Sequence, residues 1–256
     1  MEKPVILVVN DDGIAAPGIR CLINTMKQLG EVYVMAPDKP QSGMGHAITI
    51  NEPLRITKIS IDKEIVEYKC NGTPVDCVKL AMHKVLPHRP DLIVSGINHG
   101  SNSTISVIYS GTMAAAIEGA IEGIPAIGFS LLDYSLDADF SACPDFIKTI
   151  TENVIKNGLP DGVCLNVNFP VLPKEQIKGI KVCRQAKAVW IEEFDERLDP
   201  HNQNYYWLTG YLKNNENAED TDEWALENGF VTIVPTQIDL TSYNTIHLIN
   251  NWKFDL

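Results

Sequence analysis

The sequence predicts an α/β fold in which an open, doubly wound sheet is followed by a β-rich C-terminal extension. Up to about residue 174, short and continuously apolar runs alternate with segments whose apolar residues recur at helical spacing. Glycine and proline mark most boundaries between these segments. After about residue 175 the chain changes to strand-like segments joined by long polar connections. These three observations favour a mostly parallel, Rossmann-like sheet with helices on both faces.

The N-terminal segment predicts a strand, a helix and a second strand. Residues 4–9 form a continuous apolar run, which is typical of a strand buried on both faces. Residues 18–29 carry apolar side chains at helical spacing, and Gly30 follows as a helix stop. Residues 31–36 form the second strand, which ends before Pro37. This order is a βαβ unit, so we expect parallel pairing and a right-handed crossover.

The same alternation continues through the middle of the chain. Thr73 and Pro74 begin a helix, with Thr73 as its N-cap and Pro74 at its first helical position. The predicted elements are helices over residues 73–85, 109–123 and 144–157, strands over residues 91–95, 124–130 and 163–167, and a partly antiparallel excursion within residues 48–69.

The C-terminal part is more polar than the rest of the chain. Strands are predicted over residues 181–191 and 204–212. The acidic runs at residues 192–199 and 216–223 are interpreted as solvated loops that lie away from any ligand pocket. We therefore predict one domain over residues 1–256, with an α/β core over residues 1–174 and an extension over residues 175–256.

The composition excludes several classes of protein. The 256 residues include 21 Lys and Arg against 33 Asp and Glu, a formal charge of −12, whereas a general nucleic-acid binder needs a basic face. A small anionic substrate is still compatible, because a bound cation can reverse the local field. The six cysteines are scattered without a C-x-x-C pair, which is typical of reduced thiols in a cytoplasmic protein. Every apolar run is far shorter than the roughly 18 residues of a membrane span, so no membrane partner is expected.

Three unusual segments follow predicted strands, and ligands in such sheets bind outside the carboxyl ends of the strands. The first is Asn10-Asp11-Asp12-Gly13. Two adjacent carboxylates repel each other unless a cation or hydrogen-bond donors offset them, and oxygen ligands suit Mg²⁺ or Mn²⁺. An ordinary Asp-Gly turn before a helix would explain the same residues. The motif alone leaves both interpretations open.

The second segment, residues 37–46, offers the Ser42 hydroxyl together with Gly43 and Gly45. These glycines allow backbone N–H groups to face an anion. The segment lacks the Gly-Lys-Ser/Thr ending of a Walker A loop, and no G-x-S-x-G motif surrounds Ser42. A flexible surface loop is the alternative interpretation.

The third segment, residues 95–103, is dense in small and amide side chains and leads to the helix that begins near Ser110. The N–H groups and the positive dipole end of that helix are suited to an anion. Capping of the helix by Ser110 or Thr112 is compatible with this role. His46 and His99 lie in these loops and could transfer protons, although a loop histidine is more often only structural.

The motifs agree in order and spacing with one family over nearly the whole chain. They are Asn10-Asp-Asp-Gly-Ile14, Ala36-Pro-Asp38, Gln41-Ser-Gly43, Gly45-His46, Glu52-Pro-Leu-Arg55, Gly72-Thr-Pro74, Ser95-Gly-Ile-Asn-His-Gly100, Tyr109-Ser-Gly-Thr112, Gly123-Ile-Pro-Ala126, Asn166-Val-Asn168, Tyr205-Tyr-Trp207, Thr221-Asp222 and Asp239-Leu-Thr241. The sequence resembles the SurE family (survival protein E), the 5′/3′-nucleotidases.

The resemblance implies a divalent-metal-dependent phosphomonoesterase that acts on nucleoside 5′-monophosphates, and in some members on 3′-monophosphates or short polyphosphate. It implies one Mg²⁺ or Mn²⁺ per subunit, with metal ligands at Asp11, Asp12, Ser42 and Asn98, of which Asp11, Asp12 and Asn98 would also be catalytic. It implies phosphate contacts at Asn10, Gly43, Asn102, Ser110, Gly111 and Thr112. Family members form homodimers or homotetramers with exchanged C-terminal segments, which would explain the polar extension.

A metal-activated water is the expected nucleophile, and one of the two aspartates could act as general base. Many family members carry an acid close to Val107, where this chain has Ser106, so any proton transfer at that position would pass to another group or to water. Two alternatives remain open from the residues. One is a non-catalytic nucleotide-binding regulatory protein, and the other is a serine esterase that uses Ser42.

Overall fold

The computed structural model describes residues 3–59, 65–135 and 137–254. In these residues the strands are β1 (Val5–Val9), β2 (Glu31–Pro37), β3 (Ile56–Ile59), β4 (Val66–Cys70), β5 (Leu92–His99), β6 (Ala126–Leu131), β7 (Val163–Phe169), β8 (Ile180–Val182), β9 (Ala188–Leu198), β10 (Asn204–Asn214) and β11 (Val231–Gln237). The α-helices are α1 (Pro17–Met26), α2 (Pro74–Leu80), α3 (Gly111–Ile121), α4 (Pro144–Asn157), α5 (Asp222–Glu227) and α6 (Tyr243–Ile249).

The main sheet has nine strands in the order β3-β4-β2-β1-β5-β6-β7-β11-β8. In this order, all neighbouring strands between β4 and β7 (β4-β2-β1-β5-β6-β7) are parallel. The strand β3 pairs antiparallel with β4, and β11 pairs antiparallel with β7. The chain builds outward from β1 to β2 on one side and then resumes at β5 on the other side. The topological switch point therefore lies between β1 and β5, and their carboxyl ends are the expected ligand site.

Both faces of the sheet are covered by helices. In β1, Ile6 and Val8 pack into a core that contains residues of α1 and α4, while Leu7 and Val9 pack into a second core with residues of α2 and α3. Successive strand residues point to opposite faces, so burial on both faces requires the continuous apolar run that the sequence shows. The predicted doubly wound α/β class is confirmed.

Local signals in the sequence account for where the helices begin. Thr73 accepts a hydrogen bond from the backbone N–H of Asp76, whose carboxylate accepts one from the backbone N–H of Thr73. This capping box satisfies two donors at the start of α2. Ser110 caps α3 in the predicted way, through a 3.0 Å bond from the N–H of Met113. The antiparallel excursion is also present as β3 and β4, although residues 60–64 lie outside the described ranges.

The strand predicted over residues 91–95 continues to His99. Its register with β6 shifts by one residue between Ser95 and Asn98, which is a β-bulge. Gly96 lies in this stretch with φ +123°, and a Cβ there would be 2.3 Å from the carbonyl oxygen of Phe129. Only glycine fits such a position. The irregular end of β5 sets where Asn98 emerges from the sheet.

The C-terminal predictions need three corrections. The single strand predicted over residues 181–191 is wrong, because β8 ends at Val182 and β9 begins at Ala188. The acidic run at residues 192–199 is not a solvated loop, since it belongs to β9 of a β9–β10 hairpin. The acidic run at residues 216–223 is only partly a loop, and its end starts α5. Residues beyond 174 also supply β8 and β11 to the main sheet.

Two further observations concern the whole described part of the chain. Within residues 3–59, 65–135 and 137–254, none of the helices has both the length and the apolar character that crossing a bilayer requires. The six cysteines are all free thiols, and most of them are buried.

Candidate active site

A cavity of about 490 Å³ opens at the carboxyl ends of β1 and β5. This volume lies within the roughly 300–1,000 Å³ that is typical of small-molecule sites. Six of the ten residues expected to bind metal or phosphate line it, namely Asp11, Ser42, Gly43, Asn98, Asn102 and Ser110. The other four lie in the chain beside them, namely Asn10, Asp12, Gly111 and Thr112. The three loops that follow separate strands are thus brought to one place.

Asp11 is the most deeply placed acid of this cavity, with only 3% of its surface exposed. Its Oδ1 accepts a hydrogen bond from the Thr112 hydroxyl at the start of α3. Burial, and secondly the neighbouring charge of Asp12, raise the pKa of Asp11 to about 7. The chain alone therefore stabilises this carboxylate poorly, and a cation beside it would offset that cost.

Asp12 is hydrogen-bonded to His99, which belongs to the segment of residues 95–103. Its Oδ2 accepts a hydrogen bond from the backbone N–H of His99, and the ring Nδ1 of His99 also lies 3.2 Å from that oxygen. The His99 ring packs edge-on against Phe140 at a centroid distance of 5.0 Å. The two adjacent aspartates are therefore held by different elements, Asp11 by α3 and Asp12 by the end of β5.

Asn98 and Ser42 complete the oxygen donors of the cavity. The amide nitrogen of Asn98 donates to the carbonyl oxygens of Gly100 at 2.8 Å and His99 at 3.2 Å. This fixes the side chain and leaves its Oδ1 as the atom available to a ligand. The loop that carries Ser42 is tied to the site by a 2.7 Å bond from the Gln41 N–H to the Asp11 carbonyl.

The donor set fits a hard divalent cation. In the described ranges no three His, Cys, Asp or Glu side chains cluster as metal ligands, so a cation here needs the neutral oxygens of Ser42 and Asn98 beside the two aspartates. Oxygen-only ligands are those that Mg²⁺ and Mn²⁺ prefer. The buried Asn10 Oδ1 also has no hydrogen-bond partner in the structure. The unpartnered acceptor and the buried acid are both groups that a cation at this position would stabilise.

The positions expected to contact phosphate divide into two kinds. Gly43 has φ +76°, and a Cβ there would meet nothing within 4 Å, so its backbone borders open space. The start of α3 offers N–H groups near Ser110 and Gly111. Thr112, in contrast, is fully buried and uses its hydroxyl on Asp11. Its side chain positions the acid instead of facing the cavity.

The loop at residues 101–104 is held by partners that the sequence analysis missed. Asn102 donates hydrogen bonds from both its backbone and its side chain, since its N–H donates to Asn168 Oδ1 at 2.9 Å and its amide donates to Ser130 Oγ at 2.7 Å. Asp222, at the start of α5, accepts from the N–H of Thr104 at 2.8 Å. Glu223 accepts from the Ser103 hydroxyl. The quoted Asn166 and Asp222 motifs were the available signals.

The β9–β10 hairpin also reaches the cavity, contrary to the expectation that the acidic runs lie away from it. Trp190 and Glu192 of β9 line it, together with residues 208–210 of β10. Tyr109 and Tyr134 complete its aromatic lining. A local sequence pattern could not indicate this, because the contact joins residues about 80 to 180 positions apart.

The second histidine singled out in the sequence has a structural environment. His46 Nε2 lies 2.9 Å from Glu118 Oε2, and His46 does not line the cavity that contains Asp11. Lys79 bonds the other oxygen of Glu118. The cluster of His46, Lys79 and Glu118 connects the Ser42 loop to α2 and α3. Of the two histidines, His99 is the one at the site.

These features define a class of protein. It is a doubly wound α/β protein whose ligand cavity, at the topological switch point, combines adjacent carboxylates with a glycine-containing loop and an anion-binding helix start. The family model described as Survival protein SurE matches residues 6–192, and the chain belongs to the SurE family.

Similar proteins extend over essentially the full length. The protein named 5′-nucleotidase SurE from Flavobacterium johnsoniae is 62% identical over 255 residues, covering 99% of this chain and 98% of its own length. Its namesake from Cytophaga hutchinsonii is 59% identical over 256 residues, covering 99% of each. The crystal structure of a SurE protein from Aquifex aeolicus has a TM-score of 0.84 and 41% identity, covering 96% of this chain and 98% of that one. The family resemblance predicted from the motifs is confirmed.

Proposed function

We propose that this chain is a 5′-nucleotidase, which hydrolyses a nucleoside 5′-monophosphate to a nucleoside and phosphate. The observation that carries this function is the buried Asp11 carboxylate, which shares one cavity with Ser42, Asn98 and the start of α3. An acid beside an anion-binding helix start suits a metal-assisted phosphoryl site. Relatives named 5′-nucleotidase SurE, about three-fifths identical over the full chain, support the same reaction.

One divalent cation per subunit, Mg²⁺ or Mn²⁺, would be held by Asp11, Asp12, Ser42 and Asn98. When bound, such a cation supplies charge neutralisation at the phosphate and lowers the pKa of attacking water. The amide hydrogen bonds that fix Asn98 and the Gln41 bond that fixes the Ser42 loop keep these oxygens in place before the cation arrives.

The remaining polar groups of the cavity act on the phosphate. N–H groups at Gly43 and at the start of α3 donate to its equatorial oxygens, where negative charge is spread as the P–O bond breaks. Asn102 adds a side-chain amide that Ser130 orients, while Asn168 holds its backbone N–H. Asp12, bonded to His99, accepts the proton of the attacking water, and the His99 imidazole carries that proton toward the leaving oxygen. Asn10 supports the turn through a 2.9 Å bond to the Gly13 carbonyl.

The subunit works in a cytoplasmic homodimer or homotetramer in which the C-terminal segments, within residues 175–256, pack on another subunit. The support is the exposed apolar surface of that part. All described residues of α6 are exposed, including Tyr243, Ile246 and Leu248, and Leu240 before it is 94% exposed. A surface with so many apolar side chains is typical of an interface.

Phosphate release from a panel of substrates tests the reaction. The panel contains 5′-AMP, 5′-GMP, 5′-CMP, 3′-AMP and a short polyphosphate, each with Mn²⁺, with Mg²⁺ and with EDTA. We expect metal-dependent release from the 5′-monophosphates and at least a hundredfold loss in Asp11→Asn and Asp12→Asn. Asp161→Asn is the matched control. This exposed aspartate precedes β7, so it lies at the amino ends of the parallel strands, opposite to the end that carries the cavity.

Each alternative has its own outcome in the same experiment. Tight nucleotide binding without phosphate release under any metal condition would favour a regulatory binding protein. EDTA-insensitive cleavage of a carboxylic ester, abolished by Ser42→Ala, would favour a serine esterase. The geometry gives that alternative little support, because it requires a base bonded to the Ser42 hydroxyl, whereas the ring contacts of His46 and His99 are to Glu118 and Asp12.

A further inference from the structure

Trp190 stands out among the residues of the cavity that the proposed chemistry does not use. It lies near the start of β9, and it lines the same cavity as Asp11, Ser42 and Asn98. Asp11 and Asn98 are buried at the ends of their strands, whereas the hairpin that carries Trp190 is mostly exposed. The indole therefore lies toward the mouth of the cavity, and Asp11 and Asn98 lie at its base.

The indole is held in place by a specific contact. Its Nε1–H donates to the Ser106 hydroxyl at 3.1 Å. Ser106 belongs to the short 3₁₀ helix Thr104–Ile108, which leads into α3, and it lines the cavity as well. An aromatic ring that is fixed at its polar edge presents a preorganised flat face to a ligand. The serine at this position thus has a definite role in orienting Trp190.

Charge distinguishes the two ends of the cavity. Glu192 follows Trp190 by two residues, so it lies on the same face of β9, and it also lines the cavity. A carboxylate at the hairpin end repels a phosphate dianion. The phosphate is directed to the other end, where the start of α3 and the Gly43 loop offer N–H donors and where a bound cation would offset the charges of Asp11 and Asp12. The uncharged, aromatic part of a nucleotide is then left beside Trp190.

We propose that Trp190, oriented by Ser106, forms the nucleobase-binding wall of the cavity and makes purine monophosphates better substrates than pyrimidine monophosphates. The preference follows because stacking strengthens with the area of the overlapping rings, and a purine has two rings. This inference rests on the proposed nucleotidase function and adds its specificity-determining residue. The cavity volume of about 490 Å³ leaves room for a base beside the phosphate.

The test compares substrates with and without a base. For Trp190→Ala we expect the KM for AMP to rise roughly 5- to 150-fold, which is the loss of one base–aromatic stack, with kcat nearly unchanged. Kinetic constants for ribose 5-phosphate, which has no base, should stay within about twofold of wild type. Ser106→Ala should raise the KM for AMP by a smaller factor and add nothing in the Trp190→Ala background.

Two variants separate this role from general damage to the hairpin. Trp190→Phe keeps an aromatic face but loses the N–H donor, so its KM for AMP should fall between wild type and Trp190→Ala. Trp207→Ala removes an indole from β10 that is exposed and does not line the cavity, and its kinetics should match wild type. Melting curves confirm that each variant is folded.

Several results would overturn the inference. One is an equal loss on AMP and ribose 5-phosphate, another is an equal effect of Trp207→Ala, and a third is an unchanged KM for AMP in Trp190→Ala. Equal kcat/KM for AMP and CMP in wild type would overturn the purine preference. If wild type hydrolyses neither AMP nor ribose 5-phosphate, the proposed function fails instead. Calorimetric measurement of AMP binding then still tests the base contact. Weaker binding by Trp190→Ala than by wild type would support the contact, and equal binding would overturn it.

Discussion

The carboxylate of Asp11 packs against the α-carbon of Gly111. A Cβ at position 111 would lie 2.7 Å from the Asp11 Cβ and 3.0 Å from its Oδ2, and real Cβ atoms do not approach other atoms so closely. Because Gly111 is the first residue of α3, this contact brings the acid to the N-terminal turn of the helix. The smallest residue of the site therefore controls the position of its most buried acid.

Gly111→Ala should consequently displace Asp11 and lower metal-dependent phosphate release by at least tenfold, because misplacement by about 1 Å can cost a hundredfold in rate. Steady-state kinetics at saturating Mn²⁺ measure the effect. Gly158→Ala is the matched control. A Cβ at position 158 meets open space, so this variant should lose about 1–3 kcal/mol of stability through its backbone conformation (φ 71°, ψ −176°) but keep its activity. Full activity in Gly111→Ala would contradict the packing argument.

Glu118 should stabilise the fold in a pH-dependent way. Its carboxylate is buried, which raises its pKa, but hydrogen bonds from His46 and Lys79 outweigh burial and lower the pKa below its usual value of 4.5. A carboxyl whose pKa is lowered by folding contributes stability above its unfolded pKa and loses that contribution as the pH falls through the folded pKa. The loss should therefore appear below about pH 4.5.

Glu118→Gln should cost about 1–3 kcal/mol of unfolding free energy at pH 7, because charge-assisted bonds are replaced by neutral ones. The difference in unfolding free energy between Glu118→Gln and wild type should shrink as the pH falls from about 5 to about 3, the range around the usual glutamate pKa. Urea unfolding at each pH measures this difference. Asp145→Asn breaks an exposed pair with Lys174, and it is expected to change the unfolding free energy much less than Glu118→Gln does. A pH-independent difference for Glu118→Gln would rule out the titration.

Cation binding should raise the melting temperature only when Asp11 is present. A ligand at a hundred times its Kd stabilises a protein by about 2.7 kcal/mol, which corresponds to roughly 5–10 °C for a chain of this size. We expect this shift for wild type and for Asp161→Asn on addition of Mn²⁺, at fixed protein concentration. Asp11→Asn should show almost none. An equal shift in Asp11→Asn would place the cation elsewhere.

The contrast between β1 and β9 explains how much the sequence could predict. Each face of β1 is covered by helices, so the strand has to be apolar throughout and is recognisable without any partner. Most of β9 is exposed on both faces and pairs only with β10, so its acidic residues carry neither an apolar run nor an alternation. A polar segment such as β9 is typical of a loop, but it is equally compatible with an exposed two-stranded ribbon.

The site divides in the same way. Asp11, Ser42 and Asn98 could be assembled in advance, because the carboxyl ends of neighbouring parallel strands meet at one edge of the sheet. Trp190 and Asp222 could not, because they reach the site through contacts over 80 or more positions of sequence. Nothing local in the sequence specifies such contacts. The order of motifs along the strands therefore predicts which residues form the phosphate end of the cavity better than it predicts which residues form the mouth.

Exposed apolar side chains at the C-terminus should make the assembly depend on that segment. Leu240 and Ile246 are exposed, so replacing both by Asp should reduce the proposed homodimer or homotetramer to monomers without unfolding the α/β core. Light scattering after size-exclusion chromatography measures the mass. Ile155→Asp is the control, since it replaces a partly exposed isoleucine of α4 by the same charged residue and should leave the mass unchanged. A wild-type monomer, or an unchanged mass in the double variant, would contradict an interface formed by residues 239–254.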